Sequence, residues 1–199
     1  MNNTTVQKIL VSSRNPHKRH EIQAILENRF QVIGPEDIGF NEEVEESGAT
    51  LEENARIKAL ALADWGGPVL ADDSGLEIEA LGGAPGVHSA RFAGSKATDR
   101  QNIQKVLKMM EGKRNRRARF STVLAYFDGK NLTTFKGSVA GTILFQPRGN
   151  DGFGYDPIFV ADGHTKSFSE LSPAEKNSLS HRKKALDAWL NFLDLYPYI

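Results

Sequence analysis

The chain has 199 residues, of which 39% are hydrophobic and 25% charged, a globular balance that excludes a disordered chain. Its 25 basic and 25 acidic residues cancel, which counts against a nucleic-acid or anionic-membrane binder, and the lack of cysteine removes disulfides, thiolate zinc sites and cysteine nucleophiles. The longest uncharged stretches run to about 11 residues, far short of a membrane span, and MNNTTVQKIL lacks the pattern of a secretory signal, so a soluble cytoplasmic protein is expected.

In chain order, Lys8–Ser13 is an apolar run suited to a buried strand. A helix follows at once, with Asn15 as N-cap, Pro16 at the first position and a stripe of Ile22, Ile25 and Leu26. Thr50-Leu51-Glu52-Glu53 is a capping box, predicting a second helix to about Trp65 that Gly66-Gly67-Pro68 ends. Val69–Ala71 is a further strand, leading into Asp72-Asp73-Ser74-Gly75 at its end. Thr98 caps a helix to about Met110, and strands over Phe120–Phe127 and Leu132–Leu144 meet at Asp128-Gly129, a hairpin signal. Ser172-Pro173-Ala174-Glu175 opens a C-terminal helical region to about Leu195, with a restart at Ser180. Strands separated both by helices and by a hairpin predict an α/β fold, a mixed twisted sheet with flanking helices.

Chemistry concentrates at a few places. Ser13-Arg14-Asn15-Pro16-His17-Lys18 lies where a strand opens a helix, so free amides, the helix dipole and the Lys18 cation converge there. It reads as a phosphate cradle without a Walker A pattern, or as a capped surface helix with a solvated lysine. Between Arg29 and Arg56 there is no basic residue but many acidic ones, mostly a solvated loop, and one glutamate at its end could serve Mg²⁺, which takes one or two carboxylates. Asp72 and Asp73 beyond an apolar run need a cation, or else form an Asx-turn. The segment Gly149-Asn150-Asp151-Gly152-Phe153-Gly154-Tyr155-Asp156-Pro157 offers an aromatic face between glycines, or a tight turn with a packed ring. Lys176 with Ser180-His181-Arg182 supplies donors for acceptor edges, or simply a charged helix face. The basic run Lys113–Arg119 reads as a solvated turn, its alternative being a nucleic-acid-binding patch.

The order of these motifs resembles the inosine triphosphate pyrophosphatase family, also called XTP/dITP diphosphatases. Ser13-x-Asn15-x-x-Lys18, Glu45-Glu46-Ser47-Gly48, Glu53-Asn54-Ala55-x-x-Lys58-Ala59, Ala71–Leu76, Gly83–Gly86, Ser89–Arg91, Phe153–Pro157 and Ser180–Arg182 carry the likeness, from about Lys8 to Leu190. The resemblance implies a single domain over 1–199, elongated and two-lobed with a central substrate cleft. It also implies a homodimer that uses Mg²⁺ to cleave the purine nucleoside triphosphates ITP, dITP and XTP to monophosphate and pyrophosphate, cleansing the nucleotide pool, with no nucleic-acid or membrane partner. By position it assigns Ser13, Asn15, Lys18 and Lys58 to the triphosphate, Glu46 and Asp73 to Mg²⁺, and Asp73 to proton acceptance from the attacking water. Ser74 touches substrate, Phe153 stacks on the base, Gly154, Tyr155 and Asp156 shape its pocket, and Lys176, His181 and Arg182 read its edge. Two positions depart from the family: Arg14, which adds phosphate affinity or points to solvent, and His88, where the family often has Tyr. A relative of similar fold acting on other altered nucleotides is the near alternative.

Overall fold

The computed structural model describes residues 6–196. Eleven α-helices and strands run along these residues, the predicted ones in their predicted order and β2 and β6 in addition: β1 (Gln7–Val11), α1 (Pro16–Leu26), β2 (Phe30–Ile33), α2 (Leu51–Leu60), β3 (Val69–Ile78), α3 (Asp99–Met109), β4 (Arg117–Phe127), β5 (Leu132–Ile143), β6 (Phe159–Ala161), α4 (Pro173–Leu179) and α5 (His181–Leu195). The strands form one mixed sheet in the order β2-β1-β3-β4-β5-β6. β1 pairs in parallel with β2 (Gln7 opposite Phe30) and with β3 (Leu10 opposite Val69), while β5 and β6 are antiparallel (Gly141 opposite Ala161). The fold class read from the sequence is therefore present, and short runs account for what was missed. β2 has four residues and β6 three, too few for a periodic signal.

Local chemistry places the helices. The Asn15 side chain accepts from the amides of His17 (2.9 Å) and Lys18 (3.4 Å), and Pro16 stands at the first helical position. Thr50, Thr98 and Ser172 each close a reciprocal capping box with Glu53, Gln101 and Glu175. Ser180 is extended (φ −69°, ψ 157°) and its hydroxyl accepts from the Lys183 amide at 3.1 Å, so α4 stops there and α5 restarts. The second helix is shorter than predicted. It ends at Leu60, tightens into a 3₁₀ turn over Ala63–Trp65, and closes on Gly66 at φ 89°.

The larger departure is β3. Asp72-Asp73-Ser74-Gly75 is not a turn after the strand; β3 runs straight through it to Ile78. The turn-prone residues are overridden by tertiary partners, and Gly75 shows one of them: a Cβ there would collide with the Gly86 carbonyl, so only glycine lets the 86–91 segment approach.

The chain divides into two compact units, with β3, β4 and β5 contributing residues to both. Residues 6–73, 123–136 and 185–196 belong to the first. Its core packs Ile9, Val11, Ile22, Leu70 and Leu124 around a fully buried Trp189, whose ring lies 5.2 Å from Phe30 and 5.4 Å from Tyr126. A second cluster seats Ala55 and Ala59 of α2 against Leu10 and Val69. Residues 74–122 and 137–184 form the second unit, whose core centres on Phe120, Phe159 and Phe168, with Ile103 and Val106 anchoring α3. No helix among the described residues is long and apolar enough to cross a membrane.

Candidate active site

In the first unit, the C-terminal half of α2 and the middle of β3 bring opposite charges together under cover. Lys58 is buried; its ammonium donates to Asp73 Oδ1 (2.6 Å) and to the Asp72 carbonyl (2.8 Å), and pairs with Glu46 Oε1 at 2.9 Å. The hydroxyl of buried Ser12 donates to the Lys58 carbonyl at 2.7 Å and fixes the helix against β1. Burial alone would discharge Lys58, but the two carboxylates outweigh it and hold the lysine above its ordinary range. Asp73 shows the converse balance. Its burial raises the carboxyl above the ordinary value despite the pull of Lys58 and Lys18, and its second oxygen, Oδ2, is buried with no hydrogen-bond partner. Alternation turns Asp72 the other way, fully buried against the ammonium of Lys18 from α1.

The helix-opening turn differs in detail from its reading as a nest of free amides. Asn15 already holds the amides of His17 and Lys18, and the Asn15 amide itself donates to Ser13 Oγ at 3.3 Å. What the turn offers an anion is chiefly charge, from Lys18, within a capped helix end. Arg14 is exposed and donates to the Glu42 carbonyl of the acidic loop.

The second unit gathers the other sequence-nominated residues. Lys176 is buried and donates to Asp156 Oδ2 at 2.5 Å, and its ammonium sits 4.6 Å from the centre of the Phe153 ring. The Arg182 guanidinium lies 5.8 Å from the same ring and donates to Ser74 Oγ at 3.2 Å, while Ser74 shares a 2.6 Å hydroxyl contact with Thr122. Tyr155 is a wall rather than a donor toward a ligand. Its hydroxyl donates to the Ser89 carbonyl at 2.8 Å, and burial pushes it above the ordinary range. His181 stacks on Phe120 at 4.8 Å and 10°, inside the core. His88 is exposed. Three contributors carried no local signal: Ser12, Thr122 and Asp99, whose carboxylate accepts from the Gly154 amide at 2.6 Å. Their partners lie 46, 48 and 55 residues away in the chain, beyond any motif window.

The basic run is a correction. Arg116 is not solvated: its Nε and Nη2 donate to the Ile143 and Leu144 carbonyls at 2.6 Å each, Nη1 reaches the Met110 carbonyl at 3.5 Å, and the exposed Phe145 ring covers it at 4.1 Å. Arg117 and Arg119 lie in β4, facing Asp162 and Glu77. Buried carbonyls need a donor, and Arg116 supplies it as a clasp, while Lys113 and Arg114 stay exposed as a solvated turn requires. Arg116→Ser is accordingly expected to cost about 2–4 kcal/mol of stability, because it strands those carbonyls, whereas Arg114→Ser should cost less than about 0.5 kcal/mol. Denaturant unfolding of both variants checks this.

Carboxylates and lysines in one unit suit phosphates and a hard cation; an aromatic ring backed by cations in the other suits a flat heterocycle. That is the chemistry of a nucleotide-handling α/β protein. The family model described as the Ham1 family matches residues 9–192, and the chain belongs to the Ham1 family. It is 42% identical over 190 residues to a dITP/XTP pyrophosphatase of Porphyromonas gingivalis, covering 94% of this chain and 98% of the relative. A dITP/XTP pyrophosphatase of Bacillus subtilis is 47% identical over 186 residues, covering 91% and 94%. Among solved structures, the Ham1 proteins of Staphylococcus aureus and Coxiella burnetii each superpose with a TM-score of 0.85 at 38% and 41% identity, covering 94% of this chain and 98% of theirs.

Proposed function

We propose that this chain is a dITP/XTP pyrophosphatase that also takes ITP, cleaving the triphosphate to monophosphate and pyrophosphate with Mg²⁺ as its cofactor. The observation that carries the reading is the buried Lys58–Asp73 pair, joined by half-buried Glu46, with its orphaned Asp73 oxygen. The relatives' names support it.

The donors fit Mg²⁺. No group of three or more metal-ligating side chains occurs among the described residues, so a closed protein cage of the zinc type has no support. Mg²⁺ asks for less: one or two carboxylates, with phosphate and water completing its shell. Glu46 and Asp73 would hold it, the orphaned Oδ2 gaining a partner, and when bound the ion supplies positive charge against the growing charge of the leaving pyrophosphate. Lys18 and Lys58 add fixed cations for the same phosphates. Asp73 accepts the proton of the attacking water, a general-base role open to a carboxylate beside the cation. In the second unit, Phe153 carries the base, Ser74 touches the substrate, Gly154, Tyr155 and Asp156 shape the pocket, and Lys176, His181 and Arg182 present donors to its edge. A homodimer without nucleic-acid or membrane partners belongs to the same proposal.

The test is phosphate release, with inorganic pyrophosphatase added, over a panel of nucleoside triphosphates. ITP, dITP and XTP should turn over and ATP hardly at all. Excess chelator should remove at least about 99% of the rate and Mg²⁺ should restore it, the loss of a charge-stabilising group being worth about 10²- to 10³-fold. Full rates in chelator, or turnover of all purine triphosphates alike, would refute the proposal.

A further inference from the structure

The loop that carries Phe153 is built from residues that would leave it loose. Gly152 and Gly154 flank the ring at φ +81° and +60°, left-handed positions that glycine adopts cheaply and that confer no rigidity of their own. Yet the two consecutive amides of this loop are each held by a carboxylate. The Phe153 amide donates to Asp156 Oδ2 at 2.9 Å, and the Gly154 amide donates to Asp99 Oδ2 at 2.6 Å. Hydrogen bonds to ionised acceptors are the strong kind.

The two carboxylates differ in reach. Asp156 is local, three residues along the same loop, and also engages Lys176. Asp99 stands 55 residues away as the first residue of α3. Its helix does not need it as a cap: Thr98 accepts from the Gln101 amide, and the Gln101 side chain accepts from the Thr98 amide at 2.8 Å. The Asp99 carboxylate is spent on the loop instead. Because α3 is seated in the second unit's core through Ile103 and Val106, that bond ties a glycine-rich loop to a rigid element.

We propose that Asp99 is a positioning residue for base recognition: it fixes the backbone of the Phe153–Gly154 loop so that the ring is preset to receive the base. This rests on the reading of Phe153 as the stacking surface. From the side-chain end, the Lys176 and Arg182 cations restrain the ring; from the backbone end, Asp156 and Asp99 do. Loss of Asp99 leaves the phosphates and the proton acceptor untouched and makes the loop's ordering a cost of substrate binding. Its signature is therefore in KM for nucleotides, not in kcat and not in the affinity for a base-free polyphosphate.

Kinetics with dITP, and inhibition by inorganic tripolyphosphate as the base-free probe, test this in the full chain. Asp99→Ala should raise KM for dITP about three- to tenfold, with kcat and the tripolyphosphate Ki each within about twofold. Asp99→Asn keeps an oxygen acceptor and should bring KM back to within about threefold of wild type. In a Phe153→Ala background, Asp99→Ala should add less than about twofold, because the ring it presets is gone. An unchanged KM in Asp99→Ala overturns the proposal. So does an undiminished effect in the Phe153→Ala background, or a tripolyphosphate Ki that rises in step, which would mark general loosening. Failure of the stacking reading shows separately, as a Phe153→Ala chain with wild-type KM for dITP, and it removes the proposal with it.

Discussion

Asp73→Asn is expected to lower kcat by at least about 100-fold, the lower end for loss of a general base, while the chain stays as stable as before to within about 1 kcal/mol. The two halves of this expectation come from one geometry. Asp73 is a carboxylate held where burial disfavours its charge, with one oxygen on Lys58 and the other unpartnered. Such a group contributes little to folding, because desolvation offsets its ion pair. Asparagine keeps an oxygen for Lys58, and that ammonium retains Glu46 and the Asp72 carbonyl. What asparagine cannot do is accept the water's proton or supply a full negative charge to a cation. Activity of Asp73→Asn within tenfold of wild type, measured on a chain with an unaltered unfolding midpoint, would remove Asp73 from the chemistry.

The same residues show what is legible in a sequence of this kind. Asn15-Pro16, the caps at Thr50, Thr98 and Ser172 and the Ser180 restart were readable because each is settled by atoms three or four residues apart. That Asp72 and Asp73 form a carboxylate pair in need of a cation was readable too. Their place was not. Asp, Ser and Gly argue for a turn, and only distant partners keep β3 extended: Lys18 on Asp72, Lys58 on Asp73, Thr122 on Ser74. Arg116 was hidden for the same reason, since a run of basic residues looks solvated until a carbonyl 27 residues away claims one of them. Asp99 carried no signal of its own beside the Thr98 cap, and its bond to the Phe153 loop belongs wholly to the tertiary fold.

Base choice gives the other large effect. Hypoxanthine and xanthine carry a 6-oxo acceptor where adenine carries a 6-amino donor, and Lys176 can only donate. Lys176→Met keeps most of the stem and removes the donor, so ITP should lose about 10- to 150-fold in kcat/KM, the worth of one charge-assisted hydrogen bond. The 6-amino group of ATP offers Lys176 no acceptor, so any turnover of ATP should fall much less and the ITP:ATP ratio should narrow. The buried partner must be considered, because the single change leaves the Asp156 carboxylate without its cation, a loss that can itself destabilise a chain by about 3–5 kcal/mol. Asp156→Asn/Lys176→Met removes both charges and leaves an oxygen for the Phe153 amide, so it should restore the unfolding midpoint while the ratio stays narrow. Lys18→Met predicts the contrary pattern, depressing both nucleotides alike, since phosphates are common to them. Measuring kcat/KM for ITP and ATP with all three variants decides the matter. If the ratio survives in the doubly substituted chain, Lys176 serves only to balance Asp156 and to steady the Phe153 ring, and the reading of the base edge belongs to Arg182 or His181.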